Sequence, residues 1–167
     1  ILRRLPEGRV PMTGRTKQRL QAGLPRLNVE LSDHQMETLV EFLALLVKWN
    51  RTYRLTAVTD PDEMVSRHLL DSLSVLPFIV GPRVLDVGSG AGLPGIPLAV
   101  ARPEWEFTLL DSNGKKTRFM THAAGRLGLD NVRIARARVE DYADEIGFDT
   151  VISRAFSSLA DFVQRAG

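Results

Sequence analysis

The chain has 167 residues, of which 44% are hydrophobic and 25% charged, enough for one packed domain with a small appendage and too apolar for a disordered chain. It contains no cysteine, which excludes disulfides, thiolate zinc sites and cysteine nucleophiles. No apolar run approaches the ~18 residues of a membrane span, so the composition predicts a soluble, cytoplasmic protein with no membrane partner.

Charge divides the chain before any element does. Residues 1–27 hold seven basic residues (Arg3, Arg4, Arg9, Arg15, Lys17, Arg19, Arg26) against Glu7, a net of +6, while the remainder carries 15 basic and 19 acidic residues, a net of −4. Residues 1–30 therefore read as a basic arm, its first eleven residues outside the fold. Such an arm suits a phosphate backbone, from which Lys and Arg release condensed counterions; a solvated tail fits the same composition equally well.

The first predicted helix opens on Ser32 with Gln35 as a capping box, and Met36, Leu39, Val40, Leu43, Leu46 and Val47 recur at helical spacing to about Asn50. Asp60 before Pro61, with Asp62 and Glu63 in the first turn, opens a second helix that runs to about Leu76 and stops before Pro77. Together they form a helical cap, residues 31–80. Within it Arg67, His68, Asp71 and Ser72 are expected to share one polar face, either as a rim over a site or as a helix surface holding an Arg67–Asp71 ion pair. Trp49 is expected to pack between the cap and the sheet domain.

From Arg83 the pattern changes. Apolar runs at 84–87, 107–110, 132–135 and 148–152 alternate with helical stretches near 97–102, 114–127 and 156–165, the signature of right-handed crossovers and a parallel, doubly wound α/β sheet over residues 81–167. The chain stops after the helix that follows the fourth strand, where a bare edge is a poor place to end, so C-terminal strands are expected to be missing.

Chemistry concentrates behind the first strand, where Gly88, Gly90 and Gly92 fall in five positions. In a doubly wound sheet the ligand lies at this turn, and glycine lets the backbone approach it closely. Asp111 ends the second strand, where its carboxylate can accept both hydroxyls of a ribose. The stretch Gly90 to Gly95 also fits the dinucleotide pattern G-x-G-x-x-G, but Pro94 and Pro97 interrupt it, so the helix is expected to start near Pro97. Asp86 is unsuited to a pyrophosphate; it would fix the turn or meet a cationic amino acid through water. A ligand with ribose, adenine and an amino-acid tail fits better, and S-adenosylmethionine answers that description.

Asp86-Val-Gly-Ser-Gly-Ala-Gly92 resembles the first motif of class I methyltransferases. Leu93-Pro-Gly-Ile-Pro-Leu98 narrows the resemblance to the bacterial small-subunit rRNA methyltransferase G family, also called glucose-inhibited division protein B. Ser32-Asp-His-Gln35, Lys48-Trp-Asn50, Arg67-His-Leu-Leu-Asp-Ser72, Leu109-Leu-Asp-Ser112, Arg138-Val-Glu140 and Ile152-Ser-Arg-Ala-Phe156 are similar to that family in order over residues 30–165. Arg54 departs from it, standing where the family usually has Asn. The resemblance implies a Rossmann-like fold with the helical cap, Gly88 and Leu93 lining the cofactor pocket, Asp111 on the ribose, Val139 and Glu140 framing the adenine, and Arg154 reaching cofactor or substrate. Arg154, His68 and Asp71 are then the residues expected to position substrate.

A methyl donor leaves the acceptor open. Methylation at pyrimidine C5 needs a cysteine thiolate, and this chain has none. Methylation of exocyclic amines usually relies on an Asp/Asn-Pro-Pro-aromatic turn, where this chain has Ser153-Arg-Ala-Phe156. Guanine N7 carries a free lone pair and needs no general base, only alignment in a dry pocket. Phe156 could stack on a base. The resemblance implies guanine N7 of 16S rRNA, in the 530-loop region, with the rRNA or the 30S subunit as partner and a monomer as the simplest state. A methyltransferase acting on another nucleic acid or a small molecule, and a non-catalytic RNA-binding module that keeps the pocket, remain open alternatives. His34 and His122 stand alone, so no metal is expected.

Overall fold

The computed structural model describes residues 13–154. Four parallel strands, β1 (Arg83–Val87), β2 (Glu106–Asp111), β3 (Val132–Arg136) and β4 (Thr150–Ser153), stand in the order β3-β2-β1-β4. Two crossover helices, α5 (Gly95–Ala101) and α6 (Gly114–Arg126), connect β1 to β2 and β2 to β3. The order steps one way from β1 to β3 and the other way to β4, so β1 and β4 flank the switch point at which a doubly wound sheet opens its ligand crevice. The expected helix at 156–165, with Phe156, lies outside the described residues.

The N-terminal half is helical: α1 (Thr13–Leu27), α2 (Asp33–Tyr53), and a helix in three registers, α3 (Pro61–Met64), a π-helical segment (Val65–Leu70) and α4 (Asp71–Ser74). Both expected caps are present. The Ser32 hydroxyl accepts the Gln35 N–H at 3.1 Å while the Gln35 amide oxygen accepts the Ser32 N–H at 2.8 Å, and the Asp60 carboxylate accepts the Asp62 N–H at 3.0 Å. The Gln35 amide nitrogen also donates to the Val100 carbonyl at 3.1 Å, so one residue caps α2 and ties it to the end of α5.

Residues 13–27 do not form the solvated tail that their charge suggests. They are helical, Leu20 and Leu24 are buried, and Gly23 sits where an added Cβ would lie 2.4 Å from a Leu70 methyl, so glycine permits α1 to lie close against the π segment. Three of their four cations pair with acids of the fold: Arg15 and Arg19 with Asp62 at 3.3 and 3.4 Å, and Lys17 with Glu37 at 3.3 Å and Asp33 at 3.5 Å.

The π segment follows the burial pattern of its helix. Buried positions fall at Met64 and Val65, His68 and Leu69, Ser72 and Leu73, then Leu76, a repeat of four residues. On a 3.6-residue helix that repeat drifts around the axis; the wider turn of a π-helix absorbs the drift. One core runs from Leu20 and Leu24 of α1 through Phe42 and Leu46 of α2 to Phe107, Leu109, Phe119 and Met120 of the sheet layers. Trp49 packs there as expected, its ring 5.6 Å from Phe119 and 5.0 Å from His122 of α6. No helix among the described residues is long and apolar enough to cross a membrane.

Candidate functional site

The turn after β1 is built from backbone. Gly88, Gly90 and Gly92 have φ of +70°, +58° and +84°, conformations that only glycine adopts without strain. The Gly88 and Ser89 N–H groups donate to the Leu110 carbonyl at 2.7 and 3.1 Å, and the Ile96 N–H donates to the Gly92 carbonyl at 2.8 Å. The helix therefore starts at Gly95, two residues before the position predicted from Pro97. Proline is tolerated there because first-turn amides have no intrahelical acceptor.

Two carboxylates clamp this turn from opposite sides. Asp86 is 0% exposed, and its Oδ2 accepts the Gly95 N–H at 2.9 Å. Its other oxygen, Oδ1, is buried without a partner. Burial pushes the Asp86 carboxyl up to about 8, against the lowering effect of the Ser89 and Gly95 donors and the Arg154 charge. Of the two roles expected for Asp86, the geometry shows the structural one: it fixes the turn. Asp111 holds the other side, with Oδ2 accepting the Gly90 N–H at 2.9 Å and Oδ1 the Asn113 N–H at 2.8 Å. Each of its oxygens keeps a lone pair for a further donor. A Cβ built on Gly90 would meet nothing closer than the Gly88 carbonyl at 3.9 Å, so the turn faces open space there.

The remaining predicted residues spread around this centre. Leu93 packs into the main core. Val139 and Glu140 lie in a 3-10 turn (Val139–Asp141) beyond β3, on the far side of β2 from Arg154. Arg154 directly follows β4 and pairs with Asp71 at 3.1 Å, with side chains 40% and 55% exposed. That pair replaces the expected Arg67–Asp71 contact. The expected common face is also corrected. Arg67 and Asp71 are exposed, whereas His68 and Ser72 are buried, carried inward by the apolar residues that flank them. His68 Nε2 shares a 2.8 Å hydrogen bond with the Thr56 hydroxyl, and burial, aided by the Arg154 charge, lowers its pKa, so the ring is neutral near pH 7.

Sequence reasoning missed two residues. Gly95 donates to Asp86 and has no room for a side chain, since an added Cβ would lie 2.1 Å from Leu109 and 2.7 Å from Asp86 Oδ2; its place in the glycine pattern was the available signal. Thr56 holds His68, and its signal was the Tyr53-Arg-Leu-Thr56 motif. Among the described residues no group of three or more His, Asp and Glu is placed to hold a metal ion.

A parallel sheet with its switch point beside β1 and a glycine turn clamped by two acids, one of which ends β2, define a Rossmann-like domain of the methyltransferase class. Residues 35–166 match the family described as GidB, rRNA small subunit methyltransferase G. The chain is 57% identical over 151 residues to the ribosomal RNA small subunit methyltransferase G of Pseudomonas syringae pv. tomato, covering 90% of this chain and 72% of that protein. It is 58% identical to the protein of the same name from Ectopseudomonas mendocina, with 90% and 72% covered, and 55% identical to that of Nitrosococcus oceani, with 88% and 69% covered. The chain belongs to the rRNA small subunit methyltransferase G family.

Proposed function

We propose that this chain transfers a methyl group from S-adenosylmethionine to guanine N7 of small-subunit (16S) rRNA, with the acceptor in the 530-loop region. The carrying observation is the glycine turn held between Asp86 and Asp111. Such a site accepts a neutral ribose and a close-lying ligand, and it presents the Asp111 carboxylate where a pyrophosphate would need donors. The residues fit the cofactor: Asp111 has acceptor capacity left for ribose hydroxyls, Gly90 leaves space, and Gly88, Gly92 and Leu93 line the turn. Asp86 acts through the turn, and Val139 and Glu140 supply the adenine side.

When bound, the cofactor supplies a methyl group on a sulfonium. The protein's own contribution is alignment and exclusion of water, because N7 carries its own lone pair and no proton has to leave before attack. Arg154, steadied by Asp71, stands on the β4 side of the turn, where its guanidinium can meet guanine O6 or a phosphate. His68, buried and neutral, supports the helix behind that pair, and no general base is needed.

The test is to incubate the protein with methyl-labelled S-adenosylmethionine and small-subunit rRNA, 30S subunits or buffer, then cleave the RNA chemically at 7-methylguanine. Label in the RNA with a new cleavage site supports the reading. RNA binding without transfer favours a non-catalytic module, and transfer only to other acceptors favours a different methyltransferase.

A further inference from the structure

Among the described residues, several cations that lack an acid partner gather at one rim. From Ser112 to Val139 the chain has seven basic residues and a single acid, Asp130. Of these, Lys115, Lys116 and Arg118 lie in the first turns of α6, and Arg136 ends β3. The Arg136 guanidinium lies over Gly114, where an added Cβ would come within 2.9 Å of it. On α2 the charge is segregated along the helix: Asp33, Glu37 and Glu41 in its first half, Lys48 and Arg51 in its last turns, and Arg54 as its C-cap. The two helices run antiparallel, with Glu41 pairing to Arg126 at 3.8 Å and Trp49 against Phe119 and His122. The basic end of α2 therefore lies beside the basic start of α6, and both face the rim that carries the glycine turn.

Two of these placements run against local preference, and that separates them from ordinary solvated charge. A helix N-terminus favours acids and disfavours cations, yet the first turn of α6 contains no acid and holds Lys115 and Lys116. Arg54 occupies a left-handed conformation, φ +50° and ψ +60°, better suited to Gly or Asn. Local rules are broken in this way where function compensates. Three cations of α1 give the contrast, since Arg15, Lys17 and Arg19 already pair with acids of the fold.

We infer that the rim formed by the start of α6, Arg136 and the end of α2 is the docking surface for the phosphate backbone of the rRNA that flanks the modified base, and that α1 is not. The inference rests on the reading of this chain as an rRNA methyltransferase. It is tested with the full chain by measuring affinity for small-subunit rRNA across a salt series. The variant Lys115→Gln/Lys116→Gln/Arg118→Gln should lower the slope of log affinity against log salt by about 2 to 3, as loss of three phosphate contacts requires, and weaken binding about tenfold or more near 0.15 M salt. Its Tm should stay at or above that of the parent, because cations leave a helix N-terminus, and its affinity for S-adenosylmethionine should be unchanged. The variant Arg15→Gln/Lys17→Gln/Arg19→Gln should keep the parental slope. If the α6 variant unfolds, Arg51→Gln/Arg54→Asn asks the same question from α2. A parental slope in the variants of this rim, or an equal fall in the α1 variant, overturns the surface. Failure of the parent to methylate rRNA, with the slope still responding at α6, overturns the enzymatic reading and leaves the surface standing.

Discussion

At the residue scale, Asp86 and Asp111 occupy similar positions at strand ends and differ in burial, and this separates what each can do. Asp86 is raised to about 8, so between roughly pH 4 and 8 the folded chain holds a proton that the unfolded chain has released, and stability falls as pH rises through that window. The slope is at most about 1.4 kcal/mol per pH unit for one group. Asp86→Asn keeps an acceptor for the Gly95 N–H and cannot ionise. Relative to the parent it should gain stability steadily from pH 5 to 8 in denaturant titrations, and calorimetric titration should show little change in cofactor affinity. A loss of affinity of tenfold or more would return to Asp86 a direct contact with the cofactor. Asp111 predicts the opposite pattern. Asp111→Ala removes acceptors from the Gly90 and Asn113 N–H groups and from the ribose, so cofactor affinity should fall by at least about tenfold, the value of one charge-assisted hydrogen bond.

At the element scale, the helices and strands follow local rules except where tertiary contact overrides them. Arg54 caps α2 in the left-handed region, and a non-glycine residue there costs about 1 kcal/mol. Arg54→Gly should raise the unfolding free energy by up to that amount in chemical denaturation, while weakening RNA binding at the rim. The Ser32 capping box, the Asp60 cap, the strands and the acid ending β2 were legible because side-chain chemistry alone specifies them. Asp111 and the three glycines were thus found as a pair before any contact was known. Three features were not legible in the same way. Helix α1 has few apolar positions, and Gly23 and Pro25 read as breakers; only the Gly23 contact with Leu70 explains the glycine. The π segment appears as a four-residue burial repeat, and burial is known only once α1 has packed on it. The early start of α5 depends on the Gly95 bond to Asp86, a contact between residues nine apart that no periodicity encodes.

At the scale of the whole molecule, the helical half and the sheet share one core, so the site is positioned by the N-terminal helices as much as by the strands. The Asp71–Arg154 pair crosses between the two halves beside the glycine turn, and it is half-exposed. An exposed pair of this kind contributes only about 0.2–1 kcal/mol to stability, so what it supplies is the direction of the Arg154 guanidinium. Asp71→Asn should therefore leave the unfolding free energy within about 1 kcal/mol of the parent while raising KM for rRNA, with cofactor affinity unchanged. Arg154→Lys keeps the charge but loses the planar fork that grips carboxylate and phosphate in two places, so it should impair activity about as much as Asp71→Asn does. If the pair acts as a unit, the double variant Asp71→Asn/Arg154→Lys should be little worse than either single change in kcat/KM, a non-additivity that a double-mutant cycle measures directly. Fully additive losses would mean that the two side chains serve the reaction separately, and the bridge between cap and sheet would then be a surface contact without effect on the site.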